Sequence, residues 1–204
     1  MLLIAAAAVD EGVAELARSM GELGPTLLLS PAGKAPPGVD AAVAAADLTT
    51  AEGAARDWLA AEHMHDPVDV LVTVPAPVPE SPTKVGDVTD ELWSVCLRDN
   101  LSVAAHAARA AVPGMIRRGY GRVAMVTWRL DEPAGYVALA TACGAVRHLA
   151  RTLASEVGEQ GVTVNAVSVA PGRLPDAAPA VRLLCSPDAG FVTSEALVPV
   201  GGPA

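Results

Sequence analysis

The chain has 204 residues, the length of a single domain, and its hydrophobic fraction of 51% excludes a disordered protein. Aromatic residues make up only 3%, so alanine, valine and leucine must build most of the core. The net charge of −9, with only 14 basic residues, argues against a nucleic-acid partner.

Short apolar runs alternate with helical patterns in the first part of the chain. In chain order, the periodicity predicts a strand at Met1–Ala8, a helix at Asp10–Glu22, a strand at Thr26–Leu29, a loop at Pro31–Gly38, a short strand at Val43–Ala46, a helix at Thr50–Glu62 and a strand at Val68–Val74. The prolines of Pro75–Gly86 predict an irregular segment after the last of these strands.

The same alternation continues to the end of the chain. It predicts a helix at Thr89–Arg118 with a bend at Pro113-Gly114, a strand at Gly121–Thr127, a loop at Arg129–Pro133, a helix at Tyr136–Gly158, a strand at Val162–Val169, a loop at Pro171–Pro179, a short helix at Ala180–Cys185 and a strand at Ala196–Val200. This order indicates an α/β protein whose single domain, residues 1–204, is a doubly wound parallel sheet. Ligands of such sheets bind at the carboxyl ends of the strands.

Cysteine usage and targeting signals favour a cytoplasmic protein. Cys96, Cys143 and Cys185 are too few and too scattered for a disulfide framework or a metal site. The spacing of His63 and His65 is compatible with metal binding, but a solvated loop is the preferred interpretation, so no metal is expected. We find no signal peptide and no apolar run near the ~18 residues of a membrane helix, so no membrane partner is expected.

Several segments resemble the short-chain dehydrogenase/reductase family in their order along the chain. They are DVLV at Asp69–Val72, ELWSVCLRDNL at Glu91–Leu101, GRVAMVT at Gly121–Thr127, VTVNAVSVAPG at Val162–Gly172, the C-terminal segment Ser186–Gly202 and ADLTT at Ala46–Thr50. The resemblance implies a Rossmann-like fold and an NAD(P) cofactor. It also implies a trimmed fold, because there is no room for a crossover helix between Leu29 and Val43 or for a substrate lid between Gly172 and Ser186.

The cofactor-binding motifs of that family are largely lost. Its TGxxxGxG turn aligns with AAAAVDEG at Ala5–Gly12, where Asp10 replaces a glycine and would repel a pyrophosphate. The NNAG motif aligns with Thr73–Ala76, and no acid or arginine follows the second strand. The family remnants at cofactor positions are Gly12, Asp47, Pro171 and Gly172, and these serve the fold as readily as a cofactor.

The catalytic positions differ as well. Asn100 is retained, but the serine position falls near Thr127 or Trp128, and the YxxxK pair falls on Leu139 and Cys143. A leucine and a cysteine cannot supply a phenol activated by an ammonium group. The candidate catalytic residues that remain are Asn100, Thr127, Trp128, Asp131, Tyr136 and Cys143, although a structural role is the preferred interpretation of Asn100 and Cys143.

These losses predict a protein without nicotinamide-dependent activity and without a cofactor. It would act as a pseudoenzyme subunit or dimeric accessory protein, paired with itself or with an active relative through helices 89–118 and 136–158. One alternative is a cofactor-independent cyclase, dehydratase or isomerase that binds a small carbonyl compound in the vacated cleft. A further alternative is an atypical NAD(P)-dependent oxidoreductase. The alanine-rich composition hints at bacterial secondary metabolism.

Overall fold

A computed structural model describes residues 1–6, 8, 10–23, 26–30, 42–64 and 67–199. The strands are β1 (Leu2–Ala6), β2 (Thr26–Ser30), β3 (Ala42–Ala45), β4 (Val70–Val74), β5 (Gly121–Trp128), β6 (Val162–Val169) and β7 (Ala196–Leu197). The α-helices are α1 (Glu11–Ser19), α2 (Ala51–Met64), α3 (Asp90–Cys96), α4 (Val103–Arg118), α5 (Val137–Val157) and α6 (Ala178–Cys185). The predicted loop Pro31–Gly38 lies outside the described residues, as does most of the interval predicted to lack a crossover helix.

The seven strands form one sheet in the order β3-β2-β1-β4-β5-β6-β7, and every pairing is parallel. The predicted α/β, Rossmann-like fold is therefore confirmed. The strand order reverses between β1 and β4, which pair from Leu2 with Val70 to Ala6 with Val74. This switch point opens a crevice at the carboxyl ends of the two strands, where ligands of such sheets bind.

Alternate residues of β1 face opposite layers of the core. Leu2 and Ile4 pack in the layer that contains α1 and α6, whereas Leu3 and Ala5 pack in the layer that contains α2 and α4. All five residues of β1 are buried, as expected for a strand covered on both faces. The core is built mainly from alanine, valine and leucine, as the composition predicts.

The predicted helix Thr89–Arg118 is interrupted upstream of Pro113-Gly114. Pro113 lies inside α4, which continues to Arg118. The departure from regular α geometry lies upstream, where residues Leu97–Ser102 form a wider, π-helical turn between α3 and α4. The Asn100 side chain lies in this turn and donates to the Cys96 carbonyl at 2.9 Å, so a polar side chain rather than a proline marks the irregularity.

The predicted loop Pro171–Pro179 is also partly wrong. Residues Leu174–Ala177 form a short 3₁₀ turn, and α6 begins at Ala178. Proline is tolerated in the first turn of a helix because the N–H that it lacks has no partner there. Pro175 and Pro179 occupy such positions, so they do not interrupt the helical segments.

Candidate functional site

The first turn of α1 lies at the crevice and is capped by an acidic side chain. The backbone N–H of Val13 donates to Oδ1 of Asp10 at 3.0 Å, and Asp10 itself is exposed. Helix N-termini bind anions because their first N–H groups have no partner within the helix. Here one of those N–H groups already binds a carboxylate of this chain. Ala7 and Val9, also in the aligned motif, lie outside the described residues.

Gly12, in the first turn of α1, lies beside Leu174. A Cβ atom at residue 12 would stand 3.5 Å from Cβ and 3.6 Å from Cδ2 of Leu174, and 3.3 Å from Oδ1 of Asp10. Leu174 is buried, and the turn that it begins packs against α1. Leu174 therefore lies at ordinary van der Waals distance from residue 12, and the tightest neighbour of a Cβ there would be Oδ1 of Asp10.

The segment after β6 reaches this position through Pro171 and Gly172. Gly172 has a φ of +75°, a conformation that favours glycine, and both residues are exposed. Gly172 thus has a conformational role in turning the chain toward α1. Whether it also contacts a cofactor stays a prediction.

Asn100 and Trp128 meet at the backbone of Ala76. The Ala76 N–H donates to Oδ1 of Asn100 at 3.1 Å, and Nε1 of Trp128 donates to the Ala76 carbonyl at 2.7 Å. All three residues are buried. These bonds fix the loop after β4 between the π-helical turn and the end of β5.

Asn100, Thr127 and Cys143 line one small internal cavity of about 10 Å³, together with Thr73. Its volume is close to the least that holds a water molecule. The Thr127 hydroxyl lies 3.1 Å from the Ser168 hydroxyl, between paired positions of β5 and β6. The structure therefore brings three of the candidate residues together around one small pocket.

Burial makes Cys143 a poor nucleophile. It raises the pKa of the Cys143 thiol, while a backbone hydrogen bond from Trp128 opposes the rise. A protonated thiol reacts slowly, because the thiolate is the nucleophilic form. Leu139, one turn earlier on α5, is also buried.

Tyr136 and Asp131 lie outside that cavity. Tyr136 is half-buried at the start of α5 and lines a second narrow pocket of about 10 Å³ with Ser81, Thr83 and Cys96. Asp131 is exposed and binds the Arg129 guanidinium through both oxygens, at 2.8 and 3.0 Å. The predicted polar cluster from Thr127 to Tyr136 is thus divided, and Asp131 does not join a common site with Tyr136.

Asp47 follows β3 and organises its own loop. Its carboxylate accepts hydrogen bonds from the hydroxyl and N–H of Thr49 and from the hydroxyl of Thr50. The hydrogen bond from the Thr49 hydroxyl is the largest cause that lowers the pKa of Asp47. Asp47 is therefore an exposed, ionised group just after the carboxyl end of β3.

Ala76 and Leu174 are the site residues that sequence reasoning missed. Neither side chain carries chemistry, and Ala76 contributes only its backbone groups. The Asp10 cap was detectable, because an aspartate directly before a helical pattern is a common N-cap. Within the described ranges, no group of three potential metal ligands and no helix long and apolar enough to cross a membrane is found.

Comparison with known proteins identifies relatives. A family model described as Enoyl-(Acyl carrier protein) reductase matches residues 7–177. Dehydrogenase/reductase SDR family member 4 of Homo sapiens is 28% identical over 184 residues, which cover 74% of this chain and 65% of that protein. D-beta-hydroxybutyrate dehydrogenase of Rhizobium meliloti is 37% identical over 95 residues, covering 44% of this chain and 34% of that protein. The chain thus spans less than two thirds of the length of these relatives.

A solved structure extends the likeness across the fold. A protein described as a 3-oxoacyl-reductase from Bacillus thuringiensis superposes with a TM-score of 0.84 at 18% identity. The superposition covers 100% of this chain and 97% of that one. At this identity the likeness concerns the fold alone.

The prediction of a non-redox pseudoenzyme subunit is wrong. The matching family model is described as a reductase, and the relatives named above are a dehydrogenase/reductase and a dehydrogenase. The cofactor-independent alternative has no support among them either. The prediction rested on four lost motifs and gave too little weight to the rest of the chain. Because the family model matches residues 7–177, the chain belongs to the short-chain dehydrogenase/reductase family.

Proposed function

We propose that this protein is an atypical NAD(P)-dependent oxidoreductase that interconverts a carbonyl and a hydroxyl group. The family match over residues 7–177 carries the proposal, since members of this family normally use NAD(P). The fold supports it by placing a crevice at the switch point between β1 and β4. The names of the relatives favour a 3-hydroxy or 3-oxo acid derivative as the substrate class.

The two ends of the crevice differ in how well they fit the cofactor. At the adenine end, the resemblance assigns Asp47 to the base, and this carboxylate is exposed and ionised. At the pyrophosphate end, Asp10 occupies a backbone donor and Leu174 packs against Gly12. These residues do not fit a pyrophosphate in the family's usual pose, so we derive no step through the nicotinamide.

Proton transfer to the substrate oxygen falls to Tyr136 in this proposal. Leu139 has no exchangeable side-chain proton, and burial keeps the Cys143 thiol protonated. Tyr136 is the N-cap residue of α5 and lines the same narrow pocket as Leu139. An open depression of about 830 Å³ beside it, lined by Glu132, Val137 and Thr141, gives access to the start of α5.

The test is turnover with NADH and NADPH against a panel of carbonyl compounds: a 3-oxoacyl thioester, acetoacetate and simple ketones. Oxidation of the reduced nicotinamide, with the matching hydroxyl product, is the expected result. Tyr136→Phe should lower kcat at least tenfold with little change in KM, since general acid–base catalysis contributes about 10²–10⁴-fold. Tyr120→Phe is the matched control, because Tyr120 lies away from the crevice. Its ring centre is 4.3 Å from the guanidinium of Arg122. Absence of turnover with every pair of nucleotide and carbonyl compound would contradict the proposal.

A homodimer formed through helices 89–118 and 136–158 is part of the proposal. A groove between α4 and α5 is lined by Ala105, Ala108, Ile116 and Leu149, with Ile116 37% exposed. The same groove carries Arg109 and Glu156, and opposite charges of this kind can pair across a twofold axis. These features support a second copy of this chain as the occupant of the groove.

A cytoplasmic location completes the proposal. Cys96, Cys143 and Cys185 are all free and buried, as expected in a reducing compartment. Fractionation of cells that express the protein tests this location, and recovery outside the cytoplasm would contradict it.

A further inference from the structure

The misfit at the pyrophosphate end of the crevice has a specific origin. The backbone N–H of Val13 is a donor that an anion at the N-terminus of α1 would use, and it binds Oδ1 of Asp10 at 3.0 Å. Resting on the proposed use of NAD(P), we propose that Asp10 is an internal competitor of the cofactor's pyrophosphate and sets the dinucleotide affinity of this protein. Asp10 thereby acts as a determinant of binding rather than as a catalytic residue.

Two effects of Asp10 oppose a pyrophosphate, and they are separable. The carboxylate repels a dianion because both charges are negative. Its Oδ1 also occupies the Val13 N–H, so the dianion must displace a hydrogen bond as well. The first effect depends on charge alone, and the second depends on an oxygen atom in the capping position.

Within the described part of the chain, the carboxylate of Asp10 forms no ion pair. Among the described residues from Ala8 to Ala14, none is basic. Arg173 follows Gly172 in the segment that packs on α1, but its Nε lies 2.5 Å from the carboxylate of Asp176. Glu11, in the first turn of α1, is acidic, and its carboxylate pairs with Arg18. A pyrophosphate at this helix end would therefore meet uncompensated negative charge from Asp10.

Leu174 provides an independent observation of the same misfit. Its side chain lies 3.5 Å from the position of a Cβ on residue 12, which is ordinary van der Waals distance. Leu174 is buried and apolar, so beside the first turn of α1 it offers a phosphate group no hydrogen bond. The Asp10 cap and the Leu174 contact together explain why the N-terminus of α1 fits a pyrophosphate poorly.

Two substitutions separate the two effects. Asp10→Asn keeps an oxygen that can cap α1 and removes the charge, since asparagine is as good an N-cap as aspartate. Asp10→Gly removes the charge and frees the Val13 N–H, and glycine is also tolerated at the N-cap of a helix. Glu15→Gln is the matched control, because it removes one charge from an exposed position one turn further along the same helix.

The experiment is a calorimetric titration of all four proteins with NADH, NADPH and adenosine. We expect Asp10→Asn to bind the dinucleotides about tenfold more tightly than the natural sequence, and Asp10→Gly more tightly still. Glu15→Gln should stay within about twofold. Adenosine has no phosphate group, so its affinity should be the same for every protein.

The outcomes distinguish this inference from the proposed function. If the natural sequence binds a dinucleotide and both Asp10 variants bind it equally well, Asp10 is not the determinant and the proposed function stands. If adenosine affinity rises along with that of NADPH, the effect lies outside the pyrophosphate end and the inference fails. If no protein binds either dinucleotide, the proposed function fails and the inference fails with it. Asp10→Asn decides the question alone should Asp10→Gly not fold.

Discussion

The indole nitrogen of Trp128 donates to the carbonyl oxygen of Ala76 at 2.7 Å. The N–H of the same alanine donates to Asn100, so both polar groups of one residue are paired with side chains from other elements. This arrangement ties the end of β5 and the π-helical turn to the loop after β4. It gives Trp128 and Asn100 a structural role that is independent of the reaction.

Trp128→Phe should destabilise the protein more than Trp58→Phe. Both indoles are buried, but Nε1 of Trp58 has no hydrogen-bond partner among the described residues. Only the Trp128 substitution leaves a buried carbonyl unpaired, which costs about 1–3 kcal/mol. Urea denaturation of the two variants measures the difference. Equal losses would contradict a stabilising Trp128–Ala76 bond.

Asn100→Ala removes two buried hydrogen bonds at once. It leaves the Ala76 N–H and the Cys96 carbonyl without their side-chain partner, so the free energy of unfolding should fall by about 2–4 kcal/mol. Ser102→Ala, in the same widened turn, is the control and should cost less than about 0.5 kcal/mol. A small effect of Asn100→Ala would mean that solvent replaces its bonds.

Stability should decline in alkaline solution because of a buried thiol. Burial raises the pKa of Cys185 from 9.0 to about 12, whereas the unfolded chain keeps the ordinary value. The folded pKa is raised, so the stabilising effect is complete below pH 9 and is lost as the pH rises from 9 toward 12. The urea midpoints of the natural sequence and of Cys185→Ala are measured from pH 8 to about pH 11. The difference between them separates the contribution of this thiol from that of other groups that titrate in alkaline solution. A difference that does not change with pH would contradict the assignment.

Ala105→Glu should convert the proposed homodimer to a monomer. Ala105 is half-buried in the groove between α4 and α5, and a carboxylate there would be desolvated against a second copy. Ala60→Glu, at an exposed position on α2, should leave the mass unchanged. Sedimentation equilibrium measures both masses. A monomeric natural sequence, or a dimer that persists in Ala105→Glu, would contradict this interface.

The fold was predictable from the sequence because apolar runs and helical periods recur throughout the chain. Strand β6 matches its prediction at Val162–Val169, and β1 falls within the predicted Met1–Ala8. Proline was a weaker guide, because Pro113 lies inside α4 and Pro175 lies in the first turn of a helical segment. A proline's effect depends on its position within the helix, which periodicity alone locates poorly.

The candidate site was less predictable, because its arrangement depends on groups without a sequence signal. Ala76 acts through its backbone, and Leu174 acts through its packing against Gly12. The lost motifs at Asp10, Leu139 and Cys143 were recognisable. Each of them concerns a single step of binding or catalysis, and none of them decides to which family the chain belongs. Inferring a non-redox protein from them gave absent residues more weight than the remaining match.

The central claim is that this chain binds a nicotinamide dinucleotide, and thermal unfolding with and without NAD⁺, NADH, NADP⁺ and NADPH tests it most directly. A nucleotide at 100 times its Kd should stabilise the folded protein by about 2.7 kcal/mol. For a chain of this size that corresponds to a rise in Tm of roughly 5–10 °C, saturating with concentration. We predict such a rise for at least one of the four nucleotides. An unchanged Tm with all four at millimolar concentration would contradict the account.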